Sequence, residues 1–120
     1  MAKKILIAED ETSLSKGLSL KLANLGFEAT VAEDGAEALS LLKRDDFDLL
    51  LLDLMMPKVD GFGVLAEKAN WKGKPIVFVN SNLSQQSDKL KAIEAGADQF
   101  IVKSDTSLKD LVEKINAALA

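Results

Sequence analysis

Five times along this chain a short apolar run gives way to a stretch with helical spacing, and no other feature limits the fold as much. The runs read as strands over residues 5–8, 28–31, 49–54, 76–79 and 99–102. Leu14, Leu18, Leu22 and Leu25 then recur at helix spacing and stop at Gly26. Ala38, Leu39 and Leu42 follow an N-cap at Asp34, and Phe62, Leu65 and Ala69 form a shorter third helix. Leu90, Ile93 and Ala97 flank a helix stop at Gly96. Leu108, Leu111, Val112, Ile115 and Leu119 close the chain behind a cap at Thr106 or Ser107. Such alternation predicts an α/β fold, a doubly wound parallel sheet of five strands with helices on both faces. Strands buried on both faces read as unbroken apolar runs, as the four leucines from Leu49 do. With 120 residues, one domain is expected.

Composition removes several chemistries. There is no cysteine and no histidine, so thiolate and imidazole metal sites and His- or Cys-based nucleophilic mechanisms are excluded. The absence of cysteine also fits a reducing cytoplasm. A formal charge of −4 argues against nucleic acid or an anionic membrane as partner, since either calls for a basic face. The start has a run of only four apolar residues before the first acids, so it is not expected to be a secretory leader, and no apolar run reaches the length of a membrane span.

In doubly wound folds ligands bind beyond the carboxyl ends of the strands, so the residues there carry the chemistry. Strand one runs into Glu9, Asp10 and Glu11, and strand three delivers Asp53. Strand four leads to Asn80, Ser81 and Asn82, and strand five to Lys103. Two carboxylates about 4 Å apart repel by about 4 kcal/mol at an effective dielectric near 20. One lysine does not offset three acids, whereas a divalent cation does. All-oxygen donors select Mg²⁺, Ca²⁺ or Mn²⁺, and Mg²⁺ keeps open positions for a phosphate oxygen. A carboxylate nucleophile, Mg²⁺, a lysine and a hydroxyl together are equipment for accepting a phosphoryl group.

These residues make the chain resemble the receiver domain of two-component response regulators, of the chemotaxis-regulator type. The matching pieces are Glu9-Asp10, the segment from Asp53 to Pro57 with Asp60-Gly61, and Gly96-Ala97-Asp98 leading to Phe100 and Lys103. The resemblance covers essentially all of the chain and implies the flavodoxin-like strand order 2-1-3-4-5. It implies that Asp53 is the phosphoacceptor, and that Glu9, Asp10, Asp53 and the backbone carbonyl of Met55 hold Mg²⁺. Lys103 would pair with phosphoryl oxygens, Ser81 would bond the bound phosphate, and Phe100 would be the aromatic switch. Ser104 stands where the family usually has proline, and Asn82 where it has a small residue. Without proline a trans Lys103–Ser104 peptide is expected. Met55 and Leu83, both apolar, would flank the path of an attacking water, which implies slow loss of phosphate.

The expected partners are a sensor histidine kinase or phosphotransfer protein and an output protein, with no nucleic acid and no membrane. A monomer is expected, or a weak dimer through the face of the fourth helix, fifth strand and fifth helix. Residues 1–120 are expected to form a single receiver domain without an effector domain. As a switch, the domain assists its own modification and is not an enzyme in the usual sense. The alternative is a receiver-like interaction module that works without phosphorylation. A haloacid-dehalogenase-type hydrolase would need a second acid at Met55, and a flavin carrier would need a phosphate loop where Glu9-Asp10-Glu11 stands. Asp53 also has a purely structural reading as a cap, Glu9-Asp10-Glu11 as a solvated turn, Lys103 and Ser81 as ordinary surface groups, and both methionines as packing.

Overall fold

The computed structural model describes residues 2–82 and 86–120. In chain order the elements are β1 (Lys4–Ala8), α1 (Thr12–Asn24), β2 (Glu28–Ala32), α2 (Gly35–Arg44) and β3 (Leu49–Leu52). They continue with α3 (Gly61–Ala66), β4 (Ile76–Ser81), α4 (Gln86–Glu94), β5 (Gln99–Val102) and α5 (Leu108–Ala118). Short 3₁₀ turns lie at Lys68–Asn70 and Lys103–Asp105. All strand pairs are parallel and the order is β2-β1-β3-β4-β5, as expected from the resemblance. No helix of the described residues is long and apolar enough to cross a membrane.

Alternate side chains of the strands feed two apolar layers. On one face Leu6, Leu50, Leu52, Val77 and Val79 meet Leu39 and Leu42 of α2, Val64 and Leu65 of α3, and Ala92 of α4. On the other, Ile5, Ile7, Leu49, Leu51, Phe78 and Ile101 meet Leu18 and Leu22 of α1 and Leu111, Val112 and Ile115 of α5. Fully burying each such aliphatic side chain stabilises the fold by about 1.5–3 kcal/mol. Trp71 is buried in the first layer as well.

The caps follow the local chemistry. Asp34 Oδ1 accepts the Glu37 N–H at 2.8 Å, Asp60 Oδ1 the Gly63 N–H at 2.8 Å, and Ser107 Oγ the Asp110 N–H at 3.1 Å. Ser107, not Thr106, is therefore the cap of α5. Gly26 and Gly96 take φ values of +92° and +114°, which only glycine adopts freely, and so end the chain's helical course after α1 and α4. Asp98 Oδ2 accepts the Val77 N–H at 2.7 Å at the amino end of β4. In the Gly96-Ala97-Asp98 motif, then, glycine and aspartate both have structural work.

β1, from Lys4, and β2, to Ala32, each run one residue longer than the sequence reading, and three boundaries differ by more. β3 stops at Leu52 rather than Leu54, because the chain turns away after the Asp53 N–H has bonded the Ala8 carbonyl at 3.0 Å. β4 continues to Ser81, since its backbone still pairs Asn80 with Ile101 and Ser81 with Val102. α3 ends at Ala66, and Ala69 belongs to the following 3₁₀ turn.

Candidate functional site

The carboxyl ends of β1, β3 and β4 and the start of the turn after β5 meet at one rim of the sheet. Glu9 is the first residue past β1, and its N–H donates to the Ala32 carbonyl at 3.0 Å. Its side chain is buried, as is that of Asp53, whereas Asp10 is exposed. One carboxylate oxygen from each of Glu9, Asp10 and Asp53 lies within 4.8 Å of the others. Lys103 reaches this group from β5. Its Nζ lies 2.6 Å from Glu9 Oε1 and 3.0 Å from Asp53 Oδ2.

The remaining oxygens of the buried pair are also engaged. Glu9 Oε2 accepts the Glu11 N–H at 3.1 Å, and Asp53 Oδ1 accepts the Met55 N–H at 3.1 Å. Burial raises the Glu9 carboxyl to about 7, against the pull of Lys103 and the Glu11 N–H, and the Asp53 charge adds to the rise. Burial works to lower the Lys103 ammonium, but its bonds to Glu9 and Asp53 prevail and raise it. Three acids around one ammonium leave an excess of negative charge, and the donors are all hard oxygens. Glu9, Asp10 and Asp53 therefore fit a divalent cation of the Mg²⁺, Mn²⁺ or Ca²⁺ kind.

Asp53 is held in place by a close backbone approach. A Cβ on Gly61 would lie 2.6 Å from the Asp53 carbonyl oxygen and 2.6 Å from Leu54 Cα, so only glycine fits. The Gly61 N–H bonds the Leu54 carbonyl at 3.0 Å. This is the physical content of Asp60-Gly61: a cap and a close approach that aim Asp53 at the rim.

Ser81 is fully buried at the end of β4, and Phe100 packs on the α2–α3–α4 layer. Met55 is 58% exposed beside Asp53 and does not pack, in contrast to Met56, which is buried. The packing role anticipated for both methionines holds for Met56 alone, because Met55 lies on the outward turn after Asp53. Leu83 lies outside the described residues. The Lys103–Ser104 peptide is trans, as no peptide bond of the described residues is cis. Asn82 and Ser104 are bonded to each other, the Ser104 N–H donating to Asn82 Oδ1 at 3.1 Å. Asn80, named at the end of strand four but given no role there, is buried with its Oδ1 unpaired. The available signal is an amide directly after four apolar strand residues.

Known proteins resemble this chain in sequence and fold. The model of the response regulator receiver domain matches residues 5–116. A probable transcriptional regulator ycf27 of Porphyridium aerugineum is 42% identical over 117 residues, covering 98% of this chain and 48% of that protein. The chain thus spans about half the length of the curated relatives it matches. A CheY-like response regulator receiver domain protein of Methanospirillum hungatei JF-1 overlays with a TM-score of 0.90 at 26% identity, over 99% of this chain and 94% of that one. The BeF3-activated DrrB receiver domain does so with a TM-score of 0.86 at 26% identity, over 99% and 98%. With this fold, this rim of acids and these matches, the chain belongs to the response regulator receiver domain family.

Proposed function

We propose that this receiver domain is a phosphorylatable switch whose acceptor is Asp53. The observation that carries the reading is Lys103 Nζ bridging Glu9 and Asp53 at the strand ends, with Asp10 at the open side. In the proposed step an Asp53 carboxylate oxygen forms a bond to the phosphorus of a phosphohistidine. The bond from phosphorus to the imidazole nitrogen breaks, and that nitrogen keeps the electron pair. The donor would be a sensor histidine kinase or a phosphotransfer protein.

Glu9, Asp10 and Asp53, with the Met55 carbonyl, would hold Mg²⁺. When bound, Mg²⁺ would offset the crowding of negative charge between acceptor and phosphoryl oxygens. Lys103 would trade part of its carboxylate pairing for a phosphoryl oxygen, and Ser81 would donate its hydroxyl to another. Phe100, which pairs with Val79 across β4 and β5, would carry the change to the surface of α4, β5 and α5 by shifting an existing equilibrium. That surface would meet an output protein or weakly pair two copies; nucleic acid and membrane are not proposed as partners. The proposed location is the cytoplasm, with residues 1–120 forming one receiver domain.

A phosphorylation-independent interaction module is the second reading, favoured by the Asn82–Ser104 bond, which restrains the loops a switch must move. Incubation with phosphoramidate and Mg²⁺, followed by intact mass, separates the two. One added phosphoryl group in the wild type and none in Asp53→Asn is expected. An unmodified wild type would favour the module.

A further inference from the structure

Asn80 lies between the two halves of the charged cluster. The ladders pair Ala8 with Leu52 and Leu52 with Val79, so the next residues, Glu9, Asp53 and Asn80, continue one row across the sheet. Asn80 itself pairs with Ile101 of β5. Side-chain alternation turns this row toward the same face as Ile7, Leu51 and Phe78. Lys103 is two residues beyond Ile101, and β4 stands between β5 and β3. To reach Asp53 and Glu9, the Lys103 side chain therefore crosses β4 over the row that holds Asn80.

The donor and acceptor inventories do not match here. An ammonium has three N–H donors; two of them go to Glu9 and Asp53, and held there the ammonium gives none to Asn80 Oδ1. Asn80 is 3% exposed, yet its Oδ1 has no partner. An unmade bond on a buried carbonyl is costly, and a leucine would fill the same strand position without that cost. The amide is explained if a second arrangement of the cluster gives its oxygen a donor.

We infer that Asn80 is a positioning residue for Lys103: its Oδ1 takes a Lys103 N–H when the Glu9 carboxylate is withdrawn from the ammonium. This deepens the proposed function in one respect, since a cation at the acids is what withdraws Glu9. Lys103 then stays over β4, beside Asp53, instead of swinging into solvent.

The test is a stability cycle that needs neither metal nor phosphate. In the wild type, Asn80→Leu removes an orphaned polar group, so Tm is unchanged or rises. In a Glu9→Ala background Asn80 holds Lys103, so the same substitution lowers Tm by about 4 °C. With Lys103→Met added to that background, the loss disappears. The same direction and size of shift in every background overturns the inference. Mg²⁺ titration gives a second readout: Asn80→Leu weakens binding by about threefold to tenfold. Unchanged affinity in a protein that binds Mg²⁺ also overturns it. A wild type that binds no Mg²⁺ but retains the reversal of sign upholds the Asn80 contact and removes the phosphoryl-transfer reading instead.

Discussion

The Ser104 N–H donates to Asn82 Oδ1 at 3.1 Å and so ties the residue after β4 to the turn after β5. These are the two positions at which the chain departs from the pattern of the receivers it resembles, and the departures compensate one another. A proline at Ser104 has no N–H to give, and a small residue at Asn82 has no oxygen to receive one. Ser104→Pro and Asn82→Ala should each loosen this junction. Together they should cost no more than the larger single effect, because both remove the same bond. Amide exchange of the Ser104 N–H and thermal melts of the three variants check this. Fully additive losses would contradict it.

Gly61 makes the close backbone approach that holds Asp53 in place. Gly61→Ala should destabilise the fold by about 1–3 kcal/mol, because the new methyl meets backbone rather than a movable side chain. It should also reduce phosphorylation by small-molecule donors out of proportion to the loss of stability. Denaturant melts beside the phosphorylation rate separate the two effects.

Asp34 provides a pH-dependent cap on α2. The Glu37 N–H lowers its carboxyl below the ordinary 3.8, with smaller help from Lys58. A depressed carboxyl contributes stability above its unfolded pKa and loses it as pH falls through the folded one. Asp34→Ala should therefore lower Tm at pH 7, and the gap to the wild type should close below about pH 3.8. A gap that stays constant into that range would show that the cap's charge is immaterial.

Metal affinity should depend more on Asp10 than on Glu9. Both Glu9 oxygens already hold partners, Lys103 and the Glu11 N–H, so Glu9 gives up existing bonds to turn toward a cation. Asp10→Ala should weaken Mg²⁺ binding by at least the roughly 10–100-fold that outer-shell changes cost, and Glu9→Ala by less. NMR titration is the suitable readout. Trp71 precedes β4, at the end of the sheet opposite the acids, and its fluorescence should not respond.

Much of this molecule was legible in its residues. The unbroken leucines of β3 and the stops at Gly26 and Gly96 are local signals, and they placed the sheet and the rim correctly. β4 was read two residues short because Asn80 and Ser81 are polar, while the ladder to β5 depends on backbone groups that every residue supplies. The Asn82–Ser104 bond joins residues 22 apart in sequence and has no local signature. The unpaired oxygen of Asn80 is invisible for the same reason: only the register of the strands puts Asn80 in one row with Asp53.

The central claim is that Asp53 carries the phosphoryl group, and trapping the acyl phosphate tests it most directly. Borohydride reduces an aspartyl phosphate to homoserine, leaving a mark at the modified residue. After treatment with phosphoramidate and Mg²⁺, then borohydride, peptide mass spectrometry should find homoserine at position 53 and nowhere else. Homoserine at another aspartate, or an acid-stable phosphate on Ser81 with Asp53 untouched, would contradict the account.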